Sequence, residues 1–168
     1  MEKKVLVAYA SKYGATAGIA EKIGETLETN GVSVDVKPAK EVKDMHDYQA
    51  VILGSGVYAG GWLKPASDFL QSKEKDLAKM PVWLFSDGPT GEGDPLELMK
   101  GWRFPDNLRP LSERIKPRDM ALFHGKMILE ELNFAEKMLI KAMKAQLGDY
   151  RDWNAISAWA MGIAEALK

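Results

Sequence analysis

The chain contains no cysteine and only two histidines, His46 and His124. A disulfide framework, an iron–sulfur cluster, a thiolate metal site and a cysteine nucleophile are therefore excluded, and so is a histidine-rich metal centre. The charges nearly balance, since 23 Lys and Arg face 24 Asp and Glu and leave a net charge of -1. Because the sequence lacks the positive excess that drives nucleic-acid binding, we expect no nucleic-acid partner.

Long apolar runs are also missing from the sequence. No stretch approaches the roughly 18 apolar residues of a membrane span. The first apolar run, Val5–Ala10, is too short for a signal-peptide core and has no suitable cleavage site after it. We therefore expect no transmembrane segment and a cytoplasmic location. With 168 residues, 46% hydrophobic and 28% charged, the composition is typical of one globular domain spanning residues 1–168.

Short apolar runs alternate with segments of helical periodicity along the whole chain. The runs are Val5–Ala10, Val32–Val36, Ala50–Gly54, Pro81–Phe85 and, more weakly, Met120–His124. The helical segments are 16–29, a short one near 41–45, 63–77, one opening at Asp94, residues 127–147 and one opening at Asp152. Continuous apolar runs are typical of strands covered on both faces. The pattern predicts an α/β, three-layer, doubly wound domain with a five-stranded parallel sheet and helices on both faces.

Three loops follow the first, third and fourth predicted strands, at the sheet edge where doubly wound proteins bind ligands. The loop at 11–16 places hydroxyl groups around a glycine turn and leads into a helix, a combination that favours an anion site. The loop at 54–61 has four glycines in eight residues, which predicts positive φ values or close approach of the backbone to a flat ligand. The loop at 86–91 is again built of small residues. Together they predict sites for a phosphate, a planar ring and the far edge of that ring.

Other functions of similar folds are excluded by specific residues. The first strand ends Ala8-Tyr9-Ala10, without the aspartate pair of a phospho-accepting receiver domain. The glycines of loop 54–61 do not match the spacing of a dinucleotide-binding fingerprint. The sequence also lacks the Gly-x-Ser-x-Gly turn of α/β-hydrolases.

The first loop resembles that of the flavodoxin-like FMN proteins, which typically reads Thr/Ser-x-Thr/Tyr-Gly-x-Thr. Here Ser11, Tyr13, Gly14 and Thr16 match it. Within that group the chain is most similar to the branch that includes quinone-dependent protoporphyrinogen dehydrogenase, through loop 54–61, the segment 138–144 and Asp152-Trp153. The resemblance implies the strand order 2-1-3-4-5, FMN as cofactor, and electron transfer between redox partner proteins. It leaves oxidation of a quinone- or porphyrinogen-type substrate, and a cofactor-free interaction module, as alternatives.

The resemblance implies a cofactor site that contains no metal. It does not identify a catalytic residue. The expected residues of the cofactor site are Ser11, Lys12, Tyr13, Gly14, Ala15, Thr16, Ser55, Gly56, Val57, Tyr58, Ala59, Gly60, Ser86, Asp87, Gly88 and Pro89. Two departures count against a porphyrin substrate: Tyr58-Ala59-Gly60 replaces an Arg-Tyr-Gly stretch, and residues 125–132 replace a basic, aromatic insert. Because the third loop has no aromatic residue, stacking on the flavin would fall to Tyr58, Trp62 or the segment 102–104.

An acidic cluster follows the fourth predicted strand. Its members are Asp87, Glu92, Asp94 and Glu97. It is either a solvated loop or an acidic rim near the flavin that would lower the flavin's potential and steer basic partners. We expect His124 to be a hydrogen-bonded structural residue rather than a catalyst.

Residues 127–147 contain too many apolar positions for one ordinary helix. On a single helix they would cover about 240° of the circumference, whereas a core-facing stripe needs little more than 100°. Either the helix breaks at Asn133, where Asn133-Phe134-Ala135-Glu136 forms a capping-box pattern, or an apolar patch is exposed. Such a patch would serve homodimer formation or docking to a redox partner.

Overall fold

A computed structural model describes residues 3–168, so the first two residues of the predicted 1–168 domain lie outside the described residues. The strands are β1 (Lys4–Ala10), β2 (Val34–Pro38), β3 (Tyr48–Tyr58), β4 (Gly61–Trp62), β5 (Val82–Asp87), β6 (Asp119–Phe123), β7 (Lys126–Met127) and β8 (Gly148–Asp149). The α-helices are α1 (Ala15–Thr29), α2 (Lys64–Ser72), α3 (Glu74–Leu77), α4 (Pro95–Leu98), α5 (Arg109–Ile115), α6 (Phe134–Met143) and α7 (Trp153–Ala166). Single 3-10 turns lie at Ala39–Glu41, Asp106–Leu108 and Leu129–Glu131.

The predicted parallel sheet is confirmed. Its strands are hydrogen-bonded in the order β2-β1-β3-β5-β6, and all four pairings are parallel. β4 pairs antiparallel with the end of β3, and β7 pairs with β8 in a separate two-stranded sheet. Counted without β4, the five parallel strands have the predicted order 2-1-3-4-5.

The central strands are apolar throughout because helices cover both faces of the sheet. On β1, Leu6 and Ala8 belong to the core on the face that α2, α3 and α5 cover. Val5 and Val7 point the other way, into the core formed with α1 and α7. All four side chains are fully buried, so a continuous apolar run is what this position in the fold requires.

Two of the predicted helices differ in the structure. The segment 63–77 divides at Lys73 into α2 and α3. The short helix expected near 41–45 is absent from the described chain, which has one 3-10 turn at Ala39–Glu41 and an extended Val42 after it.

Of the two alternatives for residues 127–147, the helix break at Asn133 is present, and apolar residues of α6 are exposed as well. The Asn133 side chain accepts a hydrogen bond from the Glu136 backbone N–H, and the Glu136 carboxylate accepts one from the Asn133 N–H. This capping box starts α6, while the residues before it form β7 and a 3-10 turn instead of a second α-helix. None of the residues of α6 is buried, and Phe134 is 79% exposed. Within residues 3–168, no helix has the length and apolar character needed to cross a membrane.

Candidate functional site

The three predicted loops meet at one cavity of about 290 Å³ at the carboxyl ends of β1, β3 and β5. Ten of the sixteen predicted site residues line it: Ser11, Tyr13, Ala15, Thr16, Gly56, Val57, Tyr58, Ala59, Asp87 and Gly88. Six do not: Lys12, Gly14, Ser55, Gly60, Ser86 and Pro89. The cavity's volume is close to the lower end of the range of small-molecule sites.

The first loop leaves the start of α1 open to an anion. Gly14 precedes the helix with φ +91, a left-handed conformation that glycine adopts without strain. The Ser11 Oγ accepts a hydrogen bond from the Gly14 N–H at 2.9 Å, which closes the turn. No side chain caps α1 and its first turn holds no acidic residue. The first N–H groups of this helix therefore lack intrahelical partners and favour negative charge nearby.

Thr16 and Asp87 form the buried polar end of the cavity. The Thr16 Oγ1 donates a hydrogen bond of 2.6 Å to the Asp87 Oδ1. Both residues are buried, with exposures of 2% and 3%. Burial raises the pKa of Asp87 to about 7, although the Thr16 hydrogen bond and the charge of Arg151 act in the opposite direction. The Asp87 carboxyl therefore changes its protonation state near neutral pH. It lies beside the Thr16 hydroxyl, which the sequence analysis placed in the expected anion site.

Arg151 is a residue that sequence reasoning missed. Its Nη1 donates to the Ala15 carbonyl at 3.3 Å, and its guanidinium lies 4.7 Å from the centre of the Trp153 ring. Asp149 holds it through two hydrogen bonds of 2.9 and 2.8 Å. A positive charge thus lies beside the start of α1. Because the two contacting residues are 136 positions apart, no local pattern marks this arrangement.

The first loop is also tied to α6. The Glu136 carboxylate accepts hydrogen bonds from the Lys12 ammonium, at 2.6 Å, and from the Tyr13 hydroxyl. These partners, Lys12 first, lower the pKa of Glu136 to about 2. Lys12 therefore bonds to α6 and does not itself line the cavity.

The second predicted loop is mostly strand. β3 continues to Tyr58 and pairs there with β4, so only a tight turn at Ala59 and Gly60 connects them. Of the four glycines, only Gly60 has a positive φ, of +77. Gly54 is instead required by packing, because a Cβ there would overlap the Phe85 ring. The expected glycine loop is corrected to a hairpin whose strand ends beside the cavity.

Two serines assigned to the site are used inside the fold. The Ser55 hydroxyl donates to the Gly56 carbonyl at 2.8 Å and accepts from the Leu63 N–H at 3.0 Å. The Ser86 hydroxyl accepts from the Trp62 indole at 2.8 Å and donates to the Arg103 carbonyl at 3.2 Å. Both serines are buried, and these bonds hold the hairpin and the neighbouring loop in place.

Tyr58 remains the aromatic candidate for stacking on a ring. It lines the cavity, and burial, followed by the nearby Asp87 charge, raises its pKa to about 12. Trp62 and Phe104 were the other candidates for stacking. They pack edge to face in the core with their ring centres 5.0 Å apart, so neither is available to stack on a ligand.

Apolar side chains from the segment 127–143 line another part of the cavity and are called the apolar roof below. The apolar roof consists of Met127, Ile128, Leu132, Leu139, Ile140 and Met143. The excess of apolar residues in 127–147 is therefore partly explained by the cavity. The outward residues of α6, such as Phe134 and Met138 (55% exposed), are not covered within the described chain.

Of the two alternatives for the acidic residues after the fourth predicted strand, a single clustered rim is not formed. Asp87 is buried, whereas Glu92, Asp94 and Glu97 are exposed, and Asp94 caps α4 through the Leu96 N–H at 3.3 Å. The structural role expected for His124 agrees with its contacts, since its ring nitrogens lie 3.1 and 2.7 Å from two backbone carbonyl oxygens.

The five-stranded sheet, with helices on both faces, defines a doubly wound α/β protein. Its cavity lies at the carboxyl ends of the central strands, where strand order reverses and where ligands usually bind in this fold. The chain belongs to the flavodoxin domain family, whose model matches residues 6–154. No curated protein sequence matches it.

Solved structures with the same fold include flavodoxins. A flavodoxin from the domain Archaea has a TM-score of 0.64 at 18% identity, with 98% of each chain covered. Oxidised flavodoxin 2 from Bacillus cereus has a TM-score of 0.63 at 21% identity, covering 97% of this chain and 99% of that one. Rubredoxin oxygen:oxidoreductase from Desulfovibrio gigas has a TM-score of 0.63 at 17% identity, covering 99% of this chain and 37% of the other. At these identities the likeness shows the fold alone.

Proposed function

We propose that this protein binds FMN in the cavity and transfers electrons between redox partner proteins. The observation that carries the proposal is the arrangement of an anion-binding helix start at one end of a cavity with an aromatic ring and an apolar roof around the rest. A bound flavin supplies one- and two-electron transfer, while the protein supplies binding, orientation and electrostatics.

The residues present fit the two chemical halves of FMN. The phosphate would be held by the first N–H groups of α1 and the Thr16 hydroxyl, with the charge of Arg151 nearby. The ring would lie against Tyr58, Val57 and the apolar roof. The Asp87 carboxyl, which is buried beside Thr16, opposes a phosphate when it is ionised.

The alternatives have less support. No contact in the described chain favours a quinone or porphyrinogen substrate, and a cofactor-free module would not require the open helix start beside the apolar cavity. Homodimer formation through 127–147 and a cytoplasmic location stay predictions.

The test compares FMN with riboflavin, which lacks the phosphate. The purified protein should show a flavin visible spectrum and release FMN on denaturation. At pH 6, Thr16→Ala should weaken FMN by about 10- to 150-fold, the value of one hydrogen bond to a charged group, and riboflavin much less. Thr26→Ala is a matched control, because Thr26 lies on the same helix and donates to the Lys22 carbonyl away from the cavity.

Two results would contradict the proposal. A colourless protein that takes up neither flavin would favour the cofactor-free module. Equal losses for FMN and riboflavin in Thr16→Ala would place the phosphate elsewhere.

A further inference from the structure

We propose that Asp87 and the phosphate of bound FMN share one proton, so that binding above neutral pH takes up a proton and weakens as the pH rises. This inference rests on the proposed function and adds a regulating residue to the same site. It concerns a carboxyl that lies where the fold would otherwise accept an anion.

Asp87 is placed in the cavity by the register of the sheet. It is the last residue of β5, paired with Gly56 of β3 and Phe123 of β6. It is 3% exposed and lines the cavity. Its Oδ1 accepts from the Thr16 hydroxyl at 2.6 Å, and its Oδ2 has no hydrogen-bond partner among residues 3–168. The carboxyl therefore has one oxygen free to meet a ligand.

The Thr16 hydroxyl has only one hydrogen to donate. If the phosphate takes that hydrogen, the Asp87 Oδ1 loses its donor. An ionised Asp87 would then be a buried anion with no donor, next to a second anion, which is strongly unfavourable. A proton on either group removes the conflict, because one oxygen then donates a charge-assisted O–H···O hydrogen bond to the other.

The nearby cations do not neutralise both anions, because each is paired with another carboxylate. Arg151 pairs with Asp149 at 2.8 Å, Lys126 with Glu131 at 3.6 Å and Lys12 with Glu136 at 2.6 Å. The remaining titratable groups near this end of the cavity are Tyr13, Tyr58 and His124. The two tyrosines are neutral at pH 7, because the ordinary tyrosine pKa is near 10 and theirs are raised further. The His124 nitrogens face backbone carbonyls.

The proton balance determines the pH dependence. Burial raises the pKa of Asp87 to about 7, and a phosphate monoester loses its second proton near pH 6. Above pH 7 the free protein and the free ligand both lose their protons, while the complex keeps one between them. Each further pH unit should then weaken FMN up to about tenfold, whereas riboflavin offers no phosphate and should show no such dependence.

The experiment measures dissociation constants of FMN and riboflavin by flavin fluorescence quenching between pH 7 and 9. We compare the wild type with Asp87→Asn and with Asp94→Asn, which neutralises an exposed acid while preserving a good helix cap. The wild type and Asp94→Asn should lose FMN affinity by up to about 100-fold over this range. Asp87→Asn should keep a nearly constant FMN affinity, and riboflavin binding should stay constant in all three proteins.

Calorimetric titration of the wild type with FMN at pH 8, in buffers of different ionisation enthalpy, should show uptake of one proton. This measurement needs no variant, so a failure of Asp87→Asn to fold leaves the inference testable. FMN binding without proton uptake, or with the same pH dependence in the wild type and Asp87→Asn, would overturn proton sharing and leave the proposed function intact. Binding of neither flavin at any pH would overturn both.

Discussion

Asp87→Asn should also stabilise the flavin-free protein, and the gain should increase with pH. Asp87 has an ordinary pKa of 3.8, which burial raises to about 7 in the folded protein. Between these two values the folded state binds more protons than the unfolded state, so stability falls as the pH rises. A difference of about three pH units corresponds to a cost of about 4 kcal/mol once Asp87 is fully ionised. Asparagine fits the same space and does not titrate.

The assay is urea unfolding of the flavin-free proteins, followed by tryptophan fluorescence at pH 5, 6, 7 and 8. The difference in unfolding free energy between Asp87→Asn and wild type should grow by about 2–3 kcal/mol from pH 5 to pH 8. Taking the difference cancels the opposite trend of carboxylates whose pKa is lowered, such as Asp149. Asp94→Asn is the control, because it replaces an exposed acid in the same way. A difference that stays constant for Asp87→Asn would refute the view that this carboxyl is buried and titrates near neutrality.

Two further predictions concern packing and the exposed face of α6. Gly54→Ala should destabilise the fold by about 1–3 kcal/mol in urea unfolding, because its Cβ would overlap the Phe85 ring. Gly162→Ala, in open space on α7, should stabilise the fold by about 0.5–1 kcal/mol. Equal effects of the two substitutions would contradict this packing. Phe134→Glu combined with Met138→Glu should preserve the fold and flavin binding, because both side chains are exposed, and should give a smaller species in light scattering if α6 mediates self-association. An unchanged mass would refute self-association through this face, and unfolding would show that these residues belong to the core.

Local patterns predicted most of the elements from the sequence alone. The strands were found because a parallel strand covered by helices on both faces is apolar along nearly its whole length. Val5–Ala10 is such a run, with one tyrosine, Tyr9, in it. The starts of α4 and α6 were found because the hydrogen bonds of Asp94 and Asn133 reach only two or three residues along the chain. Such signals depend on neighbours in sequence, which the sequence itself specifies.

The position of the cavity was predicted from the sequence, but only some of its lining residues were. The first loop was identified because Ser11, Gly14 and Thr16 lie within six residues of one another at the end of a strand. The roles of Ser55 on β3 and Ser86 on β5 depended instead on how the strands pair in the sheet. Their partners come from the end of the hairpin and from a distant loop. Sequence spacing does not reveal such partners.

The amino-acid sequence by itself determined the alternation of strands and helices, the helix caps and the edge of the sheet at which the cavity lies. Only the tertiary structure decided that Arg151 contacts the Ala15 carbonyl and that Asp87 is buried against Thr16 instead of joining an exposed acidic rim. The physical reason is that the charge state of a carboxyl depends on its desolvation and on its neighbours in space. Both are set by which strands lie side by side, and the residues involved are far apart in the chain.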